Sequence, residues 1–196
     1  MNKFIQYIFQ DWEVNKTTSA KARLSLLMFR LVQILGRLPK PFSWISTIYR
    51  AIYQLLVEWI LGIEIPWDIK YLGPNLRLNH GQALVVYRET IIGANCTLRH
   101  STTLGNKKLP DGSYSASPRI GNNVDIGSNV VIIGPITIGD NAVIGAGSVV
   151  VKDVPSGATV AGNPARIIRM CKPEDVIHKQ EVYAPKLCSG RECSTS

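Results

Sequence analysis

Several things are scarce in this 196-residue chain, and each scarcity removes a class of protein. Charged residues make up only 18% against 45% hydrophobic, a balance too apolar for a disordered chain. Four cysteines, Cys96, Cys171, Cys188 and Cys193, are too few for a disulfide scaffold and form no C-x-x-C pair, so plain reduced thiols are expected. Long apolar runs are missing too. The most apolar region, Leu24 to Ile65, is broken by Arg30, Gln33 and Arg37 and then by Arg50, Gln54 and Glu58. A spanning helix needs about 18 uninterrupted apolar residues. The opening stretch MNKFIQYIFQDWEVNK runs into Asp11, Trp12 and Glu13 with no small-residue cleavage site, unlike a secretion signal. The expectation is a cytoplasmic protein. Acidic residues are also in deficit, 14 against 22 cations, a net charge of +8. Such a sign favours nucleic acid, an anionic membrane or an anionic small molecule without choosing among them. Nucleic acid has no motif behind it beyond charge and is not expected.

What is present divides the chain by texture. Residues 1–62 read as an α-helical region. Leu24, Leu27, Met28, Leu31, Ile34, Leu35 and Leu38 recur at spacings of three and four, and Pro39 and Pro41 end that helix. A second helix is expected from Ser43 to Leu61, with Ile45, Ile48, Ile52, Leu55, Leu56 and Trp59 on one face and Gly62 as its stop. After Pro66 the period changes to six. Ile120, Ile126, Ile132, Ile138, Ile144 and Val150 follow one another at that spacing. Gly121, Gly127, Gly139 and Gly145 directly follow four of them. The frame continues upstream as Leu72, Leu78, Leu84 and as Ile92, Leu98, Leu104. A hexad is one short strand plus a turn, and three hexads make a triangular coil that stacks on the next through parallel ladders. The fold class expected is therefore mainly β, a parallel β-helix of hexapeptide repeats with about four coils, over residues 63–169. Residues 170–196 are left as a C-terminal tail. The step of eight from Leu84 to Ile92 reads as a two-residue bulge, and the step of sixteen from Leu104 to Ile120 as a loop excursion over residues 106–118. Loops on a rigid scaffold often carry function.

Equivalent hexads stack along the axis. The middle hexads begin at Leu78, Leu98, Ile126 and Ile144, and two places on come His80, His100, Ser128 and Ala146. Neighbouring coils lie about 4.8 Å apart, so the two imidazoles are predicted neighbours at the foot of a column of small residues. Such a groove suits a thin ligand lying along the axis. Histidine is the side chain best suited to general-base work near neutral pH. No third His, Cys or carboxylate falls in that column, so no metal is expected there. The third histidine, His178, is read as a surface residue of the tail.

These residues resemble the hexapeptide-repeat acyltransferases with a left-handed parallel β-helix, over about residues 62–169. LNHGQALVV (78–86) resembles the catalytic-histidine strand of serine acetyltransferases. STTLG (101–105), IGAGSVV (144–150) and AGNPAR (161–166) also fit. EIPWD (64–68), LRLNHGQALVV and the loop LPDGSYSASPRIGNNVDIG resemble acetyltransferases of colanic acid and other exopolysaccharide biosynthesis. The resemblance implies acetyl-CoA as co-substrate, with His80 as the base that takes the proton of an acceptor hydroxyl. It implies Glu64 as the carboxylate that orients His80, with Asp68 as fallback, and His100 beside them on the acceptor or the base. Gly105, Ser128, Ala146 and Ala161 would line the pantetheine arm, with Lys152 and Arg166 near the nucleotide phosphates. The family's sites usually lie between subunits, so a homotrimer is expected. The chain also departs from the serine enzymes. Asn79 stands where they have an aspartate, and Ala116 and Ser117 where they have an Arg-His pair. A serine acceptor needs partners for its carboxylate and ammonium, so a saccharide fits better, with Asn79 and Tyr114 as acceptor contacts. Serine O-acetylation is the rival activity, and a binding module without chemistry the rival of another class.

The first 62 residues hold eight cations against Asp11, Glu13 and Glu58, a net of +5, and are rich in aromatics. Two uses stay open for them: packing on the β-helix, or peripheral contact with an anionic membrane carrying lipid-linked saccharide.

Overall fold

The protein was analysed as a computed structural model, which describes residues 3–170. His178, Cys171, Cys188, Cys193 and the tail expected from residue 170 onward fall outside the described residues, apart from residue 170 itself.

Three helices open the chain: α1 (Lys3–Ile8), α2 (Ala20–Leu35) and α3 (Ser43–Tyr53), the last continuing as a π-helical run Gln54–Ile60. Ser19 caps α2, its hydroxyl accepting from the Ala22 N–H at 3.2 Å. The π-helical run closes with the Leu61 N–H donating to the Leu56 carbonyl at 3.1 Å. Gly62, at φ 64°, then turns the chain out of the helix. Fifteen short strands follow among the described residues. They are β1 (Ile63–Glu64), β2 (Tyr71–Leu72), β3 (Arg77–Asn79), β4 (Leu84–Val86), β5 (Ile91–Ile92), β6 (Thr97–Arg99), β7 (Thr103–Gly105), β8 (Arg119–Ile120), β9 (Asp125–Ile126), β10 (Val131–Ile133), β11 (Thr137–Ile138), β12 (Val143–Ile144), β13 (Val149–Val150), β14 (Ala158–Gly162) and β15 (Ala165–Met170).

They stack as the three faces of a prism, in the orders β1-β4-β7-β10-β13, β2-β5-β8-β11 and β3-β6-β9-β12-β14-β15. Pairing is parallel throughout except between β14 and β15, whose antiparallel return closes the end. This is the parallel β-helix that the hexad period implies. The first face has five strands, because Ile63 and Glu64 pair with Leu84 and Val85 one level below the first expected coil. Four coils were expected from the apolar period, which starts only at Leu72. Inward residues such as Leu78, Leu98, Ile126 and Ile144 are buried, and each is worth roughly 1.5–3 kcal/mol. One edge carries a ladder of side-chain amides, in which Asn75 donates to Asn95, Asn95 to Asn123 and Asn123 to Asn141 at 2.9, 3.0 and 3.2 Å. All four asparagines adopt positive φ, the conformation that this tight corner demands.

The bulge lies elsewhere than expected. Leu78 pairs with Leu98 while Val86, not Leu84, faces Leu104. The two extra residues therefore sit between Leu78 and Val86, inside the corner that carries His80. Both Leu84 and Val86 are buried, so the apolar period alone could not choose between them. The helices correct the sequence reading more deeply. In α2 the buried side chains are Ala22, Ser25, Leu26, Met28, Phe29, Arg30 and Val32. Leu24 is exposed, and Leu27, Leu31, Ile34, Leu35 and Leu38 are half-buried. In α3 and its continuation the buried positions are Ser46, Tyr53 and Val57, whereas Ile48, Ile52, Leu55, Leu56 and Trp59 face outward.

A polar network explains the orientation of α2, and the Tyr53 hydroxyl, donating to the Ile65 carbonyl at 2.7 Å, anchors α3. Arg30 and Asp11 form a buried ion pair at 2.8 Å. Arg30 also donates to the carbonyls of Leu72 and Gly73, and the Leu76 N–H donates to Asp11. Asn15 donates to the Leu76 carbonyl and accepts from the Leu78 N–H, occupying the open edge of β3 as a neighbouring strand would. These bonds satisfy backbone groups that the first coil would otherwise bury unpaired. Among the described residues no helix is long and apolar enough to cross a membrane.

Candidate active site

The corner between β3 and β4 is built by His80, Gly81, Gln82 and Ala83. His80, Gly81 and Ala83 have φ of 65°, 52° and 55°. A left-handed non-glycine residue costs on the order of 1 kcal/mol and persists where its surroundings hold it. Here the Gln82 N–H donates to the His80 carbonyl at 2.6 Å and the Ser101 N–H to the Gln82 carbonyl at 2.8 Å. The corner is thus tied both to itself and to the next coil. Because Asn79 pairs with Arg99, the next residues align, and the rings of His80 and His100 stand 6.0 Å apart at 76°, edge to face. Both are exposed. The stacking expected from the repeat is therefore present in space.

The two candidate carboxylates differ. Asp68 is paired with Arg88. Glu64 is exposed on β1, opposite Val85, and makes no ion pair or hydrogen bond among the described residues. It lies one level below the His80 corner, where a Cβ on Gly81 would stand 3.0 Å from the Ile63 side chain. No hydrogen bond joins Glu64 to His80. The sequence reading missed a third acid, Glu58. Its carboxyl is held above its ordinary range, chiefly by burial and then by repulsion from Glu64 and Asp68. The signal for it was present, since Glu58 is the one acid between Val14 and Ile63.

The remaining candidates divide between two edges. Ser128 and Ala146 continue the histidine column, and the Gly147 N–H donates to the Ser128 carbonyl at 2.9 Å. Ala161 follows on β14, paired with Arg166 on β15. Arg166 is exposed, and its guanidinium donates to the carbonyls of Pro164 and Ala165. Lys152 lies after β13, on the edge from which the 106–118 loop leaves. Gly105 ends β7 beside Gly134, whose N–H donates to its carbonyl at 3.0 Å. The loop is a short antiparallel hairpin in which Lys108 bridges Tyr114, and the Leu109 N–H donates to the Ser113 carbonyl. Tyr114 is exposed on it, and Asn79 is half-buried at the end of β3.

The glycines divide in the same way. A Cβ on Gly127 would stand 2.5 Å from the Ala146 nitrogen, so its smallness serves coil stacking. A Cβ on Gly105, Gly134 or Gly147 would meet nothing within 4 Å. Open space beside bare backbone at these positions, with exposed cations at Lys152 and Arg166, fits a thin anionic thioester. Cys96 is buried, its thiol pushed up to about 11 mainly by desolvation, which keeps it out of nucleophilic chemistry. Among the described residues no group of three His, Cys, Asp or Glu is gathered to hold a metal.

Comparison with known proteins adds the family. The bacterial transferase hexapeptide (six repeats) model matches residues 117–152. WcaB of Escherichia coli (strain K12), named for acetyl transfer in colanic acid biosynthesis, is 39% identical over 117 residues, 60% of this chain and 70% of its own. The serine acetyltransferase of Helicobacter pylori (strain ATCC 700392 / 26695) is 36% identical over 144 residues, 74% of this chain and 79% of its own. Among solved structures, serine acetyltransferase from Neisseria gonorrhoeae superposes with a TM-score of 0.69 at 28% identity, covering 85% of this chain and 68% of that one. The Brucella abortus strain S19 enzyme in complex with coenzyme A gives 0.70 at 26% identity, covering 87% and 69%. The chain belongs to the hexapeptide-repeat transferase family. It is an acetyl-CoA-dependent acyltransferase, and the reading as a binding module without chemistry falls away.

Proposed function

We propose that this enzyme transfers acetyl from acetyl-CoA to a hydroxyl of a saccharide in exopolysaccharide or capsule assembly, working as a homotrimer. The supporting observation is the company of the exposed His80–His100 pair. At the positions matching the amino-acid clamp of the serine enzymes stand Asn79, Ala116 and Ser117, none of them charged. A zwitterionic acceptor would lose its ion pairs there, whereas a polyol needs only hydrogen bonds. The likeness to WcaB supports the same acceptor class. The trimer is supported by the division of candidate residues over two edges, since a neighbouring copy brings one edge to the other.

In this reading His80 accepts the proton of the acceptor hydroxyl as that oxygen attacks the thioester carbonyl. It then returns the proton to the departing thiolate, so acetyl ester and free thiol are the products. Glu64 orients His80 from the level below. His100 and Asn79 hold the acceptor, with Tyr114 reaching over a pyranose face. Lys152 and Arg166 neutralise the nucleotide phosphates.

The second reading, serine O-acetylation, is favoured by the Helicobacter pylori relative, whose match covers more of this chain. Thiol release from acetyl-CoA, measured with L-serine and with a panel of nucleotide sugars and oligosaccharides, decides between them. Turnover with a saccharide and not with serine is expected; turnover with serine alone overturns the proposal. On the accepted substrate, His80→Ala is expected to lower kcat by about 10²–10⁴-fold. Its melting temperature and acetyl-CoA binding should be unchanged.

A further inference from the structure

The outward face of α3 and its π-helical continuation has no role in the site. It is nevertheless strongly apolar. Trp44, Ile48, Ile52, Leu55, Trp59 and Ile60 all lie on it, with Trp44 61% and Trp59 81% exposed. The opposite face is already committed, since Ser46, Tyr53 and Val57 are buried and the Tyr53 hydroxyl donates to the Ile65 carbonyl at 2.7 Å. A helix that turns its polar and aromatic-hydroxyl side inward and its aliphatic side outward is inverted for a water-facing element.

We propose that this face docks the enzyme on an anionic lipid bilayer. Charge and length select that occupant. From Val14 to Val57 the sequence carries seven Lys or Arg and not one Asp or Glu; Arg30 is buried against Asp11 and Lys16 pairs with Glu13, which leaves five others. A two-fold contact with a second copy would set these cations against themselves, whereas an anionic surface attracts them. Trp44 and Trp59 bracket the apolar residues fifteen positions apart, about 22 Å along a helix. That is short of the roughly 30 Å hydrocarbon thickness, so the segment lies in the interface, with indole rings at the headgroup level at both ends. Docking sets the first coil against the lipid, because the helical run passes through Gly62 directly into β1. The His80 corner is one strand level above, about 4.8 Å further on. A saccharide carried on a lipid would then meet the site at the membrane surface. That last step rests on the saccharide reading, whereas the docking itself does not.

The test uses the full chain and sucrose-loaded vesicles of phosphatidylcholine alone or with a quarter to a third phosphatidylglycerol. The wild type is expected to sediment with the anionic vesicles, with its tryptophan emission shifted to the blue, and to be released by high salt. The double variant Ile52→Ser, Trp59→Ser is expected to lose vesicle affinity by at least about tenfold. Its circular dichroism, melting temperature and soluble-acceptor thiol release should be kept. Wild type left in the supernatant overturns the proposal. So does a double variant that sediments as well as wild type, or one whose assembly falls apart in lipid-free buffer, which would assign the face to a second copy. Thiol release is read separately. Vesicle binding without turnover on any saccharide would overturn the acceptor reading and leave docking standing, and the converse result would do the reverse.

Discussion

The helical region and the β-helix use the same apolar residue types to opposite ends. In the β-helix every sixth residue points inward, and Leu78, Leu98, Ile126 and Ile144 disappear from solvent. In α3 and its continuation Ile48, Ile52, Leu55, Leu56 and Trp59 stand outside while Ser46, Tyr53 and Val57 are buried, and in α2 Arg30 is buried along with Leu26, Phe29 and Val32. The β-helix is held by repetition. Each coil presents the same surface to the next, so local sequence suffices. The helices are held at one junction by Asp11, Asn15 and Arg30, whose partners are backbone groups of the first coil. Hydrophobic pattern thus specifies the scaffold, while hydrogen-bond demand at its open edge specifies how the helices attach.

Breaking that junction should show the largest stability effect. Asp11→Ala leaves the Arg30 guanidinium buried without its ion pair, and a loss of about 3–5 kcal/mol is expected by urea unfolding. If the junction unites the two regions, far-ultraviolet and tryptophan probes should move together. A loss under about 1 kcal/mol would mean that the helices pack independently of it.

Within the β-helix, two glycines sharpen the comparison between stacking and binding. Gly127→Ala sets a methyl against the backbone of Ala146 and is expected to cost about 1–3 kcal/mol. Gly105→Ala meets open space, so stability should hold while KM for acetyl-CoA rises. A stable Gly127→Ala with impaired acetyl-CoA binding would reverse the two assignments. A smaller effect is expected at the amide ladder. Asn95→Ala removes two ladder bonds and forces alanine to φ 59°, about 1–2 kcal/mol by thermal melting. Asn95→Gly, which accepts that φ, should lose less.

The smallest effect belongs to Glu58. Its carboxyl is raised in the folded protein, so the ionised form opposes folding. That penalty is present at neutral pH and disappears once pH falls below the ordinary value of 4.5. Glu58→Gln should therefore stabilise by about 0.5 kcal/mol or less at pH 7, the group being largely solvent-screened, and the gain should vanish in acid. A gain that grows on acidification would mean that another partner governs Glu58.

The sequence by itself determined the β-helix, the stacking of His80 on His100 and the place of the loop excursion. A six-residue period with parallel stacking fixes the register wherever no residue is inserted, and that register carries the side chains with it. It also held the family resemblance, in LNHGQALVV, STTLG and IGAGSVV. Only the tertiary structure decided the rest. It moved the two-residue bulge into the His80 corner, because Leu84 and Val86 are equally apolar and only the ladder to Leu104 distinguishes them. It placed Lys152 after β13, on the edge from which the loop leaves. It turned the apolar face of α3 outward, because helical periodicity reports that a helix has two faces and not which one the rest of the molecule will cover. The Tyr53 hydroxyl fixes the inward face of α3 by donating to the Ile65 carbonyl, and Asn15 ties the preceding segment to Leu76 and Leu78 across some sixty residues, pairings that no local pattern encodes.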